Sequence, residues 1–238
     1  MRALVTGASS GIGAAIAAAL AAQGHPTLLT GRDAARLAAV GERTGGRTLV
    51  ADLRAPAGVE AVAAAADGWV QLLVHSAGIG ATGPLEATTA ATVDELVTVN
   101  LTAPLQLTRA LLPTLERGGG HVVFVASIAA LGVAHEAAYS ATKAGLRGFA
   151  DALRVESRIG VTTVLPGIVA TPFHDGRAHP YRAPFPRPVT AEHVAAATLA
   201  AVRKRRAEVF VPRWLGVAAR VHGAAPALYT ALSPRPRD

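Results

Sequence analysis

Short apolar runs alternate along the chain with longer segments of helical periodicity. The runs are Ala3-Leu4-Val5-Thr6, Thr27-Leu28-Leu29-Thr30, Thr48-Leu49-Val50-Ala51, Leu72-Leu73-Val74, Val122-Val123-Phe124-Val125, residues 161–165 and Val209-Phe210-Val211. They are near-continuous rather than alternating, the pattern of strands covered on both faces. Between them, residues 11–23, 33–43, 56–66, 92–116, 137–158 and 190–204 read as helices. Thr92-x-x-Glu95 has the form of a capping box at the start of the fourth. Repeated strand–helix–strand order predicts right-handed crossovers and an α/β fold: a doubly wound parallel sheet of about seven strands with helices on both faces. These elements use nearly all of the 238 residues, so a single domain over residues 1–238 is expected.

Two segments break the rhythm. Residues 171–188 hold Pro172, Pro180, Pro184, Pro186 and Pro188, and read as a loop long enough to be functional. Residues 212–238 form a tail with a weak helical stripe of Trp214, Val217, Ala218 and Val221, then Leu228 and Leu232 beyond Pro226. Composition then narrows the classes. Hydrophobic residues make up 51% and charged residues 16%, which excludes a disordered polyelectrolyte. Aromatics are 4%, so the core must be Ala, Val and Leu. There is no Cys, hence no disulfide, thiolate metal site or cysteine nucleophile, and no metal ligand is assigned.

The net charge of +7 is unevenly placed. Residues 1–200 carry 15 Lys and Arg against 14 Asp and Glu, whereas residues 201–238 carry 8 against 2. No basic face runs through the body and aromatic stacking platforms are scarce, so no nucleic-acid partner is expected. The longest soft run, residues 12–22, is mostly Ala and too short to span a membrane. The glycine motif begins at Gly7, leaving no room for a signal peptide, and a cytoplasmic location is expected.

Thr6-Gly7-Ala8-Ser9-Ser10-Gly11-Ile12-Gly13 follows the first strand directly and opens the first helix. Glycines there permit a tight turn and let backbone N–H groups approach a pyrophosphate at the positive end of a helix. Later, Tyr139 and Lys143 stand four apart in a helical pattern, a turn apart on one face. A phenol titrates near 10, and a neighbouring ammonium favours the phenolate. Lowering it by about three units takes roughly 4 kcal/mol of differential interaction. A phenol so tuned exchanges a proton with an alkoxide or alcohol near neutral pH. Lysine occurs only at Lys143 and Lys204, while the other 21 basic residues are Arg. A site needing charge alone would carry Arg in this chain, so the exception points to a compact ammonium.

Thr-Gly-x3-Gly-Ile-Gly near the N-terminus with Tyr139-x3-Lys143 resembles the short-chain dehydrogenase/reductase family, over about residues 2–211. The resemblance implies a Rossmann-type oxidoreductase that moves hydride between a nicotinamide cofactor and a carbonyl or secondary alcohol. It implies catalytic roles for Ser127, which holds the substrate oxygen, Tyr139 as acid or base, Lys143 beside it, and Asn100, which binds a water in a proton relay. Asn100 is also the only Asn in the chain, inside a predicted helix where Asn is disfavoured. Cofactor contacts are implied at Gly7, Ser9, Ser10, Gly11, Ile12 and Gly13. They are implied also at Asp52 and Leu53 near the adenine, and at Ser76, Ala77 and Gly78 after the fourth strand. Tyr139, Lys143, Pro166, Gly167, Val169 and Thr171 complete the nicotinamide side.

Gly31 stands where an NAD-type acid would lie, followed by Arg32, whose guanidinium can fork onto a 2′-phosphate. NADP(H) is therefore expected, with NAD(H) the alternative and Arg32 then a solvated charge beside Asp33 at a helix start. His75-Ser76 departs from the family's paired Asn, and His75 is expected to be packed rather than catalytic. The loop after Thr171 would cover the substrate. His174, Arg177, His179, Arg182 and Arg187 suit an anionic or acyl-carrier-linked substrate; Phe173, Tyr181 and Phe185 suit an apolar pocket below solvated charges. Arg203-Lys204-Arg205-Arg206 suits a helix C-terminus. The tail reads either as a membrane-surface segment or as a packing helix. Relatives pair through the fourth and fifth helices, which implies a homodimer or homotetramer. An NAD-dependent alcohol dehydrogenase and a non-catalytic dinucleotide sensor are the competing readings.

Overall fold

Strand β1 (Ala3–Thr6) illustrates why the apolar runs become strands. Successive side chains point to opposite faces. Ala3 and Val5 enter one core cluster and Leu4 enters the other, all fully buried. The same split holds along β4 (Leu72–His75) and β5 (His121–Val125): Leu72, Val74, Val123 and Val125 face one side, Leu73, Val122 and Phe124 the other. The computed structural model describes residues 1–174 and 187–227.

Seven parallel strands form the sheet. The remaining four are β2 (Thr27–Gly31), β3 (Arg47–Val50), β6 (Gly160–Pro166) and β9 (Glu208–Val211), in the order β3-β2-β1-β4-β5-β6-β9. Helices α1 (Gly11–Ala21), α2 (Ala34–Thr44) and α7 (Ala191–Arg203) cover one face through Ile16, Leu20, Leu37, Val194 and Leu199. Helices α3 (Pro56–Ala66), α5 (Ala103–Arg117) and α6 (Ala137–Glu156) cover the other through Val62, Leu107, Leu111, Leu146 and Leu153. The chain steps outward from β1 to β2 and β3, then returns to start the other half at β4. That reversal opens a crevice at the C-terminal ends of β1 and β4.

Four sequence expectations need correction. β3 is an edge strand and largely solvent-exposed, with Val50 at 54% exposure, so its apolar run is not covered on both faces. The fourth helix, α4 (Ala90–Val97), is capped by Thr89, not Thr92: the Thr89 hydroxyl accepts from the Thr92 N–H at 3.1 Å. The single helix expected over 92–116 is α4 and α5 joined by a π turn over Thr98–Thr102, which contains Asn100. Two short parallel strands were not anticipated: β7 (Val169–Ala170) and β8 (Val189–Thr190). They tie together the two ends of the proline-rich loop, of which residues 175–186, including Arg177, His179, Tyr181, Arg182 and Phe185, lie outside the described residues.

The first part of the tail docks on its own chain. In α8 (Leu215–Ala224), Leu215 closes on Gly167 and Gly216 on Phe210. Trp214 and Val217 on the outer side are 44% and 58% exposed. Leu228 and Leu232 lie outside the described residues. Among those residues, no helix is long and apolar enough to cross a membrane.

Phe124 is the largest fully buried side chain. It stacks on His75, its register partner on β4, at 5.1 Å, and meets the edge of Phe149 on α6 at 5.6 Å. Phe124→Ala should destabilise the fold by about 3–5 kcal/mol, read from urea unfolding. A loss below about 1 kcal/mol would mean that this sheet–helix contact is not a packing centre.

Candidate active site

The strand ends converge on one cavity of about 520 Å³. The glycine turn after β1 forms its floor. Gly7 has φ +65°, and a Cβ there would stand 2.6 Å from the backbone of Ala77, so only glycine allows the loops after β1 and β4 to touch. The Thr6 hydroxyl accepts from the N–H groups of Ser76 and Ala77 at 3.2 and 3.1 Å, fixing the same junction. Gly13 packs behind the turn, where a Cβ would meet the Gly7 carbonyl at 2.3 Å.

The N-terminus of α1 points its dipole into this cavity. Ser10 gives it no side-chain cap, and no acidic residue lies in its first turn. That leaves the N–H groups of the turn open to an anion such as a pyrophosphate. The Thr30 hydroxyl, on the cavity wall, is buried and has no hydrogen-bond partner among the described residues. A glycine cradle, an uncapped helix start and an orphaned hydroxyl together fit a nucleotide diphosphate.

Every residue named above for cofactor or catalysis lines the cavity except Gly13 and Asn100. Asp33 caps α2 by accepting from the Arg36 N–H at 2.9 Å. Arg36 and Arg54 also line the cavity, at the end that holds Arg32 and Asp52, and were not anticipated. Arg36 pairs with Asp33 at 3.4 Å, and Arg54 with Asp52 and Glu95. Arg32 has no ion-pair partner among the described residues, although its charge helps hold the Asp52 carboxyl below the usual range, after the larger effect of Arg54.

At the other end, β5 delivers Ser127 and α6 delivers Tyr139 and Lys143. Ser127 caps a short 3-10 turn over Ile128–Leu131, its Oγ accepting from the Ala129 N–H at 3.1 Å. That bond fixes the oxygen and leaves the hydroxyl proton to donate into the cavity. Tyr139 is 6% exposed, with its ring tilted against Phe173 at 6.1 Å. The Lys143 ammonium lies 5.6 Å from the centre of that ring and donates to the Val125 carbonyl at 3.1 Å. Lys143 is 4% exposed, and burial pushes its pKa from 10.5 down to about 8.

Asn100 stands behind this group, fully buried in the π turn. Its Oδ1 accepts from the Ile79 N–H at 2.9 Å, and its Nδ2 donates to the Ile79 carbonyl at 2.9 Å and to the Thr142 hydroxyl at 3.2 Å. Both amide hydrogens are committed, so Oδ1 alone can still take a water on the side chain. A Cβ on Gly78 would lie 3.2 Å from that Oδ1 and 3.5 Å from the Lys143 nitrogen, so Gly78 keeps the space beside both open. His75 is packed, as expected: it bonds Thr108 at 2.9 Å, and burial holds its pKa down at about 3.

Residues 1–181 match the sequence profile of the family described as short chain dehydrogenase. The chain belongs to the short-chain dehydrogenase family. The dehydrogenase is similar to ketoacyl reductase HetN of Nostoc sp., at 34% identity over 225 residues, covering 87% of this chain and 77% of the relative. Among solved structures it resembles a short-chain dehydrogenase from Sphingobium yanoikuyae in complex with NADPH. There the TM-score is 0.85 and the identity 27%, over 100% of this chain and 98% of that one. It also resembles the bulky-bulky ketone specific alcohol dehydrogenase from Comamonas testosteroni, with TM-score 0.80 and 25% identity, over 100% and 96% of the two chains.

The buried lysine makes stability depend on pH. Its folded pKa, about 8, lies below its ordinary 10.5. Between these values the unfolded chain holds the proton that the folded chain has lost, so this group makes the fold more stable as pH rises from 8 towards 10.5. Lys143→Met should therefore exceed the wild type in stability most at pH 7, with the difference shrinking by pH 9.5. Urea unfolding at both pH values tests this; a difference that does not change with pH would contradict it.

Proposed function

We propose that this dehydrogenase is an NADP(H)-dependent carbonyl reductase whose substrates are neutral, largely apolar ketones. The observation that carries the reading is the Ser127–Tyr139–Lys143 group at one end of a cavity whose other end carries Arg32, an arginine with no ion-pair partner among the described residues. A reduced nicotinamide, when bound, supplies hydride to the carbonyl carbon. The protein handles the oxygen.

The Ser127 hydroxyl donates to the substrate oxygen and stabilises the charge that develops there. Tyr139 gives its phenolic proton to the same oxygen, completing the alcohol. Lys143 spends one hydrogen on Val125 and has two left, one direction serving a ribose hydroxyl. Its positive charge, present below about pH 8, favours the phenolate that Tyr139 becomes. Asn100 supports the group by locking Ile79 and Thr142. The reverse oxidation uses the same parts.

At the adenosine end, Asp52 would accept from the base and Arg32 would fork onto a 2′-phosphate. Arg36 and Arg54 already share their charge with Asp33, Asp52 and Glu95, which leaves Arg32, among the described residues at this end, as the cation available to a new anion. NADPH in the Sphingobium neighbour supports this assignment. On the substrate side, the wall among the described residues is made apolar by Ile79, Ile128, Val133 and Phe173, with Glu136 as its acidic member. A ketone-specific solved neighbour and a ketoacyl reductase relative support a carbonyl substrate.

The test pairs two variants. With NADPH and a neutral ketone, Tyr139→Phe should lose roughly 10²- to 10⁴-fold in kcat while binding NADPH within about threefold of wild type. Arg32→Ala should erase the wild-type preference for NADPH over NADH, measured as the ratio of kcat/KM. Undiminished turnover by Tyr139→Phe would overturn the mechanism, and a wild-type preference for NADH would overturn the role of Arg32.

A further inference from the structure

Arg54 stands two residues past Asp52 and folds back on it. Its backbone N–H donates to Asp52 Oδ1 at 2.9 Å. Its Nε lies 3.0 and 2.9 Å from Oδ1 and Oδ2, and its Nη2 donates to Oδ2 at 2.6 Å. Its remaining arm, Nη1, reaches Glu95 on α4 at 3.2 Å. Three N–H hydrogens thus hold the carboxylate, the Nε hydrogen shared between its two oxygens, and the ionised group can only accept further hydrogens.

The backbone beneath is also fixed. The Asp52 carbonyl accepts from the Ala55 N–H at 3.2 Å, and a Cβ on Gly58 would stand 2.1 Å from that carbonyl oxygen. The α3 turn therefore seats Asp52 from below while Arg54 clamps it from the side. Asp52, Leu53 and Arg54 all border the adenosine end of the cavity. An Asp side chain on a half-exposed turn would otherwise sample several rotamers, and its oxygens would point in no fixed direction.

We propose that Arg54 is a positioning residue for base recognition: it holds Asp52 so that the carboxylate faces the exocyclic amino group of a bound adenine, and Glu95 holds Arg54. This rests on the dinucleotide reading above. The clamp selects an amino group over a carbonyl at the same place on the purine, because an ionised carboxylate can only accept. A planar fork is needed for this, and lysine cannot supply it.

The experiment titrates the full chain with NADPH and with its reduced hypoxanthine analogue, in which a carbonyl oxygen replaces the amino group. Ligand fluorescence gives both dissociation constants. The wild type should bind NADPH roughly tenfold more tightly than the analogue. In Arg54→Ala and in Arg54→Lys that ratio should fall below about twofold. A merely structural role would weaken both ligands equally and leave the ratio in place, which would overturn the proposal. Full preference retained by Arg54→Lys would overturn the fork. A wild type that binds both ligands equally would overturn the proposal alone, whereas one that binds neither would overturn the dinucleotide reading and the proposal with it.

Discussion

A lysine ammonium buried to 4% exposure is expensive unless its hydrogens find partners. In this dehydrogenase the first partner is the Val125 carbonyl, at the very end of β5. That bond ties α6 to the end of β5 one helical turn from Tyr139. It also explains why the surroundings are so constrained. Gly78, lacking a side chain, leaves room beside Lys143 and Asn100, and buried Asn100 holds Ile79 and Thr142. The π turn that carries Asn100 costs helix regularity, and such turns occur often at functional sites.

The rest of the site follows from a parallel sheet read at its C-terminal edge. β1 supplies the glycine turn, β2 and β3 supply Arg32 and Asp52, β4 supplies Ser76 to Gly78, β5 supplies Ser127, and β6 leads into Pro166 and Gly167. Close contacts between these loops are made by backbone, which is why glycines recur. Gly7 against Ala77 and Gly13 against Gly7 are contacts that any side chain would break. The substrate side is built differently. It uses short pieces: the 3-10 turn after Ser127, the β7–β8 ladder, and a bond from the Gly83 N–H to the His135 carbonyl.

Local patterns carried most of this into the sequence. Buried strands were legible because both faces are apolar, and the glycine turn and Tyr139–Lys143 pair because each is a short, rigid spacing. What escaped depends on distant parts of the chain. That β3 lies at the edge follows from the strand order, not from Thr48-Leu49-Val50 itself. Thr89 and Thr92 are both residues that cap helices well, and the helix starts from the first. The one-residue π insertion leaves helical periodicity almost intact, although a lone Asn among apolar residues marked the place. Arg36 and Arg54 received no assignment from the sequence. An Asp-x-Arg spacing just after a strand was the available signal for Arg54, and Asp33-x-x-Arg36 for the other.

The most direct test of the account uses the fact that the chain has two lysines. With ¹³C-labelled lysine, the ε-carbon signal that disappears in Lys143→Arg belongs to Lys143, and its chemical shift can be followed against pH. The account predicts a midpoint near 8, with the signal broadened or shifted on adding nicotinamide dinucleotide. A midpoint near the ordinary 10.5, unaffected by the dinucleotide, would place this ammonium in water and away from the cleft, and would contradict the account.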